Sequence, residues 1–320
     1  MSEILLRQDE TPAPPHRTLD AGLAVAEAAR SRGDSMAALR IFTELREQFP
    51  DHAGAYLRGA AMLSQLRRFD EAEQLLATGA ARFREEPGFA IERGWLAYRR
   101  GDLDDAIERW RGIREMLPGH HVGYTAGAMA LRDAGDIAEA EELLADAIER
   151  FPADPGPRTE YAWTAQITRN WPEALRRWEQ ARQYHPDQPV GFTAAAIALR
   201  ELRRFDEAEA LLVSAIARFP GERGPLTEHA WLAAARRDWP EAVRRWALVR
   251  ERFPNVADSY LRGAQALSAL WQHQEAEALL ADATARFPQD SAMACDHAWL
   301  AYRRHELESR RARHRPSASA

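Results

Sequence analysis

Small and large apolar residues recur along this chain on a fixed period of 34 residues. Counting each unit from Leu19, the eighth position is always small: Ala26, Ala60, Gly94, Ala128, Ala162, Ala196, Ala230 and Ala264, with Ala298 in a shortened ninth copy. The twentieth position is always alanine, from Ala38 to Ala276. The twenty-fourth is large, running Phe42, Leu76, Trp110, Leu144, Trp178, Leu212, Trp246 and Leu280. A small residue facing a large one is what two closely approaching helices require, since a knob on one must fill the gap on the other. No stretch shows the period-two alternation of a half-buried strand. The pattern predicts an all-α chain in which one antiparallel helical hairpin is repeated eight times over 19–290, followed by part of a ninth.

The polar residues between these positions predict where each helix starts and stops. Gly33-Asp34, Gly101-Asp102 and Gly135-Asp136 place a residue that tolerates positive φ before a capping aspartate. Asp70 to Glu73, Asp102 to Asp105, Asn170 to Glu173, Asp206 to Glu209 and Asp238 to Glu241 have the spacing of a capping box. Pro172 and Pro240 fall in a first turn, where a missing N–H is tolerated. A large residue followed by proline, as in Phe49-Pro50, Phe151-Pro152 and Phe253-Pro254, then ends the second helix.

Period, small eighth, alanine twentieth, large twenty-fourth and proline thirty-second position together resemble the tetratricopeptide repeat, over 19 to about 305. The resemblance implies a right-handed superhelical solenoid whose first helices line a concave groove used to bind another protein. The fourth position departs from the family in alternate units, being Tyr56, Tyr124, Phe192 or Tyr260 in one set and Ala90, Arg158, Leu226 or Ala294 in the other. The building block is thus a 68-residue pair of unlike hairpins. One type has an acidic second helix (Glu71 and Glu73, Glu139 and Glu141, Glu207 and Glu209, Glu275 and Glu277). The other carries Arg109, Arg176-Arg177 and Arg244-Arg245 there. Opposite charges on neighbouring hairpins predict stacking in a single register.

Composition narrows the chemistry. The 320 residues hold 43 basic and 49 acidic side chains, a net of -6, with a mean hydropathy of -0.51. Nucleic-acid binding needs a basic face, so the balance argues against it. All the basic residues are arginine. The absence of lysine excludes Schiff-base chemistry, a Walker-type phosphate loop and a kinase-type ATP lysine. No apolar run reaches the roughly eighteen residues of a membrane span, and Cys295 has no internal partner for a disulfide. No histidine spacing resembles a zinc site and no cofactor motif appears. These features predict a non-catalytic, bacterial, cytoplasmic chain without cofactor, metal, nucleic acid or membrane span.

The candidate binding residues are periodic as well. Trp95, Trp163, Trp231 and Trp299 hold the ninth position of alternate units, with Glu92, Glu160, Glu228 and Asp296 one helical turn before them. Facing the groove, they would form an aromatic ladder beside carboxylates, suited to an arginine-bearing peptide or a sugar chain. Facing the seam, they would replace the missing fourth-position aromatic. Thr125, Thr159, Thr193 and Thr227 at the fifth position either leave room for a ligand or are simply tolerated in the helix. Trp110, Trp178 and Trp246 are predicted to be core, and Trp171 and Trp239 to staple the turn between the helices.

The expected function is a scaffold holding a partner protein or peptide in the groove. An accessory module for glycans or polysaccharide biosynthesis is the alternative, because repeats of the Asp238-Trp239-Pro240-Glu241-Ala242 type are similar to those accompanying bacterial polysaccharide enzymes. Self-association through the terminal hairpins is a third possibility. Residues 1–18 have a disordered composition, and 306–320 form a basic tail.

Overall fold

A computed structural model describes residues 18–288 together with 290, 295 and 298. The N-terminal segment up to residue 17, the basic tail, Asp296 and Trp299 lie outside the described residues. Among those described there are sixteen α-helices and no strand. None of these helices is long and apolar enough to cross a membrane.

The chain divides into two compact units, one ending at Pro157 and the other starting at Arg158, within the first turn of α9. The first unit holds α1 (Leu19–Ser31), α2 (Ser35–Gln48), α3 (Ala53–Gln65), α4 (Phe69–Arg82), α5 (Gly88–Arg100), α6 (Leu103–Met116), α7 (Val122–Ala134) and α8 (Ile137–Arg150). The second holds most of α9 (Pro155–Ile167), then α10 (Trp171–Tyr184), α11 (Pro189–Glu201), α12 (Phe205–Arg218), α13 (Arg223–Ala235), α14 (Trp239–Arg252), α15 (Ala257–Ala269) and α16 (His273–Arg286). Within each unit a helix packs against the one before and the one after it. First helices of successive hairpins also touch directly, as α3 does α5 and α11 does α13. This is an all-α helical-repeat solenoid.

The core follows the predicted knobs. Trp110, Trp178 and Trp246 are at most 1% exposed, and the alanines at the twentieth position are sealed. A Cβ on Gly94 would lie 2.9 Å from the Trp110 ring, so the first tryptophan hairpin uses glycine where its sisters use Ala162 and Ala230. The aromatic that ends each hairpin of the other type anchors its fourth-position ring. Tyr56–Phe83, Tyr124–Phe151, Phe192–Phe219 and Tyr260–Phe287 meet edge to face at 5.3–5.6 Å.

The capping pattern holds in part. Asp34, Asp102 and Asp238 accept from the backbone N–H three residues on. Asp70 and Asp206 do not cap: α4 and α12 start two residues earlier, with Arg68 and Arg204 at the N-cap. The repeat fixes the cap at its sixteenth position, and these aspartates occupy the eighteenth. There they pair with the next, unlike hairpin, Asp70 with Arg100 at 3.2 Å and Asp206 with Arg236 at 2.8 Å. The fifteenth position always has positive φ. Gly33, Gly101 and Gly135 meet that need freely, but Arg67, Arg169, Arg203, Arg237 and Trp271 adopt φ between 57° and 64° against their preference.

Candidate functional site

The three described ladder tryptophans are neither free in the groove nor lost in the core. Trp95, Trp163 and Trp231 are all half-buried, each standing edge-on to the core tryptophan of its own hairpin. The ring centroids are 5.1 Å apart for Trp95–Trp110, 5.2 Å for Trp163–Trp178 and 5.6 Å for Trp231–Trp246. The 68-residue spacing therefore gives three copies of one aromatic pair, with an inner ring that is sealed and an outer ring that is half open. Arginines cover part of the outer rings, Arg99 over Trp95 at 5.9 Å and Arg262 over Trp231 at 4.6 Å.

The carboxylates predicted beside them are recessed. Glu92 faces Arg99 at 3.8 Å, and burial pushes its pKa up. Glu228 is 5% exposed and accepts from Arg200 Nε at 2.5 Å. Burial outweighs Arg200 and raises its carboxyl to about 6. Glu160 is half-buried. The threonines turn their hydroxyls to their own helix: Thr125 donates to the His121 and Val122 carbonyls, and Thr193 to the Pro189 carbonyl, all at 3.3 Å. Thr159 is half-buried, and the Thr227 hydroxyl is buried with no partner.

Two arginine devices join the hairpins, the first built from arginines that the charge pattern singles out and the second not foreseen from the sequence. Arg109, Arg177 and Arg245, 68 residues apart, each donate to a first-helix carbonyl of their own hairpin, those of Arg93, Tyr161 and His229. Arg109 and Arg245 also reach back to Glu73 and Glu209 on the preceding second helix. The complementary charges on unlike hairpins thus act as a buckle between neighbours. Glu209 takes a second contact from His229 Nε2 at 2.7 Å, and burial lowers the pKa of His229.

The second device is Arg46, Arg114, Arg182 and Arg250, each lying 5.2–5.9 Å from the next fourth-position ring: Tyr56, Tyr124, Phe192 and Tyr260. Desolvation lowers the pKa of all four. The exact 68-residue recurrence of these arginines was the available signal. A depression of about 740 Å³ lies over α2, α3 and α4 and is lined by Arg46 and Tyr56. It includes none of the predicted site residues.

Among the described residues no group of three or more His, Cys, Asp or Glu side chains could hold a metal ion. The geometry offers surfaces for recognition: aromatic edges, guanidinium planes and recessed carboxylates repeated at fixed spacing.

Comparison with known proteins agrees with this geometry. A chain of stacked hairpins with small-to-large packing belongs to the helical-repeat class. Tetratricopeptide-repeat models match residues 29–91 and 124–151. Among solved structures, a tetratricopeptide repeat protein from Parabacteroides merdae is 11% identical over 78% of this chain and 98% of its own, with a TM-score of 0.54. A chain of the APC/C hetero-tetramer Cut9–Hcn1 is 13% identical over 88% of this chain, with a TM-score of 0.52. The present chain spans 56% of that neighbour's length. At these identities the likeness is one of fold. No curated protein matches the sequence. The chain thus carries tetratricopeptide repeats, matched at 29–91 and 124–151, within a fold that solved tetratricopeptide-repeat structures share.

Proposed function

We propose that the chain is a non-catalytic scaffold that holds a segment of a partner protein against the first helices of its hairpins. Tetratricopeptide-repeat proteins are generally non-catalytic scaffolds, and the Cut9–Hcn1 neighbour is part of a hetero-tetramer. The observation that carries the reading is the shared setting of Trp95, Trp163 and Trp231, each in its own hairpin. Each is fixed edge-on against a sealed tryptophan, yet stays half open on a first helix. A rigid, amphipathic ring offers contact area at little entropic cost, which is why tryptophan is enriched at binding hot spots. Glu92, Glu160 and Glu228 one turn away, with the threonine positions, would border the same segment.

The test is selection of peptides from a displayed random library by the intact chain. A variant carrying Trp95→Leu, Trp163→Leu and Trp231→Leu, checked for helicity by circular dichroism, serves as comparison. Enriched peptides are expected to bind the folded variant at least about tenfold more weakly, a difference of about 1.4 kcal/mol. Equal binding would remove the tryptophans from the site. Response of wild-type tryptophan fluorescence to oligosaccharides, with no peptide enriched, would favour the glycan reading instead.

A further inference from the structure

One difference among the described tryptophan hairpins borders a cavity. This cavity of about 340 Å³ lies between α11, α13, α14 and α15, inside the second unit. Trp231, Trp239 and Trp246 line it, together with Ala234 and Ala235, where the sister hairpins carry larger side chains. One super-period earlier those two positions are Gln166 and Ile167. Two super-periods earlier they are Tyr98 and Arg99. The smaller side chains leave room beside Trp246 in this copy.

The core tryptophan records the difference. Trp178 Nε1 donates to the buried Gln166 at 2.7 Å. In the first copy Trp110 Nε1 is sealed without a partner. In the third copy Ala234 stands where Gln166 supplied the acceptor, and Trp246, only 1% exposed, lines the cavity instead. An indole beside a cavity, in the copy that has lost the glutamine acceptor, favours an occupant that brings one.

The rim adds no net positive charge. Arg262 is held by Asp258 at 2.9 Å and donates to Gln265 at 3.1 Å, while Arg200 pairs with Glu228 and Glu201. Two guanidinium groups matched by three carboxylates give no advantage to a phosphoryl or carboxylate group. The polar side chains that line the cavity, Arg200, Arg262 and Gln265, are already engaged in these contacts, and the rest of the lining is indole and methyl surface, which suits an aromatic ring better than a sugar. Its volume is at the lower end of the usual range for ligand sites.

We propose that this cavity is the anchor pocket for one tyrosine side chain of a bound peptide, its ring against Trp231 and Trp239 and its phenolic oxygen accepting from Trp246 Nε1. This deepens the scaffold reading and rests on it. Tyrosine supplies the apolar ring and the tip acceptor together. Phenylalanine supplies the ring alone, with no acceptor for the indole N–H.

The experiment titrates N-acetyl-tyrosinamide and N-acetyl-phenylalaninamide into the full chain while following indole N–H resonances by NMR. The Trp246 signal is assigned by its loss in Trp246→Phe. The tyrosine probe is expected to shift that signal and to bind roughly two- to tenfold more tightly than the phenylalanine probe, the worth of one net hydrogen bond. A variant with Ala234→Gln and Ala235→Ile copies the sister hairpin and is expected to abolish the shift. Ala235→Ile alone is the fallback if the double variant loses its helical spectrum.

No shift in the wild type, equal binding of the two probes, or undiminished binding by the filled variant would overturn the proposal. So would a larger shift from methyl glucoside than from the tyrosine probe. Failure here, with peptides still enriched by the wild-type chain, would discard the pocket and leave the scaffold reading. Failure of both would discard both.

Discussion

Arg244 and Arg245 are adjacent, bear the same charge and share Glu241, but the structure predicts very different consequences for losing each. Arg245 is 13% exposed and donates to Glu241 at 2.5 Å, to both oxygens of Glu209 at 2.8 and 3.0 Å, and to the His229 carbonyl at 2.9 Å. Arg244 is 75% exposed and meets only Glu241. Replacement by methionine keeps the buried stem and removes the guanidinium in each case. At position 245 the change strips charge-assisted bonds from two recessed carboxylates, though Glu209 keeps His229 and Glu241 keeps Arg244. The loss works out at about 2–3 kcal/mol. At position 244 it stays below about 0.5 kcal/mol, as for an exposed pair. Urea titrations followed by circular dichroism, compared at equal slope, measure both. A cycle with Glu209→Gln is expected to return a coupling of about 1–2 kcal/mol for Arg245. Two arginine variants that each lose less than 0.5 kcal/mol would refute the buckle.

Two glutamates give opposite pH signatures. The carboxyl of Glu228 is raised from 4.5 to about 6 in the fold, so its contribution is full below about 4.5 and disappears as pH rises through 6. The difference is about 2 kcal/mol. Urea midpoints of wild type and Glu228→Gln should diverge between pH 4.5 and 7, with the variant gaining; parallel curves would contradict this. Glu173 is held at about 2, foremost by its hydrogen bond from Arg176 and then by Arg177. Its contribution is present above 4.5 and fades as pH falls toward 2. Solvent around the half-exposed Arg176 limits it to about 1–2 kcal/mol. Thermal midpoints of Glu173→Gln are expected to trail wild type at pH 6 and to converge with it as pH approaches 2. Finally, Arg237→Gly and Trp271→Gly relieve positive φ at 60° and 64°, and Trp271 is 75% exposed with little packing to lose. Each should gain about 0.5–1 kcal/mol in a denaturant titration; a loss of that size would mean that the turn side chains stabilise the fold.

Much of the fold was legible because a repeat states each contact eight times. The opposition of Ala162 to Trp178 or of Ala230 to Trp246 follows from small and large residues in fixed register. The helix starts were less legible at Asp70 and Asp206, where local capping chemistry is overridden by a start position set by stacking. The ladder's side chains could be placed in one common environment by their spacing, but periodicity is silent on rotation. The half-open, edge-on position of Trp95, Trp163 and Trp231 needed the hairpin packing. Arg46 and its counterparts carry no local mark in the sequence, since nothing near them reveals the ring of the next hairpin lying beside them. The cavity by Trp246 was the hardest to see, because its signal is the small size of Ala234 and Ala235 in a chain rich in alanine.

The central claim is that binding is centred on the first helices. The measurement that tests it most directly is backbone hydrogen exchange of the intact chain with and without a peptide selected from the displayed library. Slowed exchange concentrated in α5, α9 and α13, around Trp95, Trp163 and Trp231, is the predicted result. Slowing confined to the second helices α6, α10 and α14, with the first helices unchanged, would contradict the account.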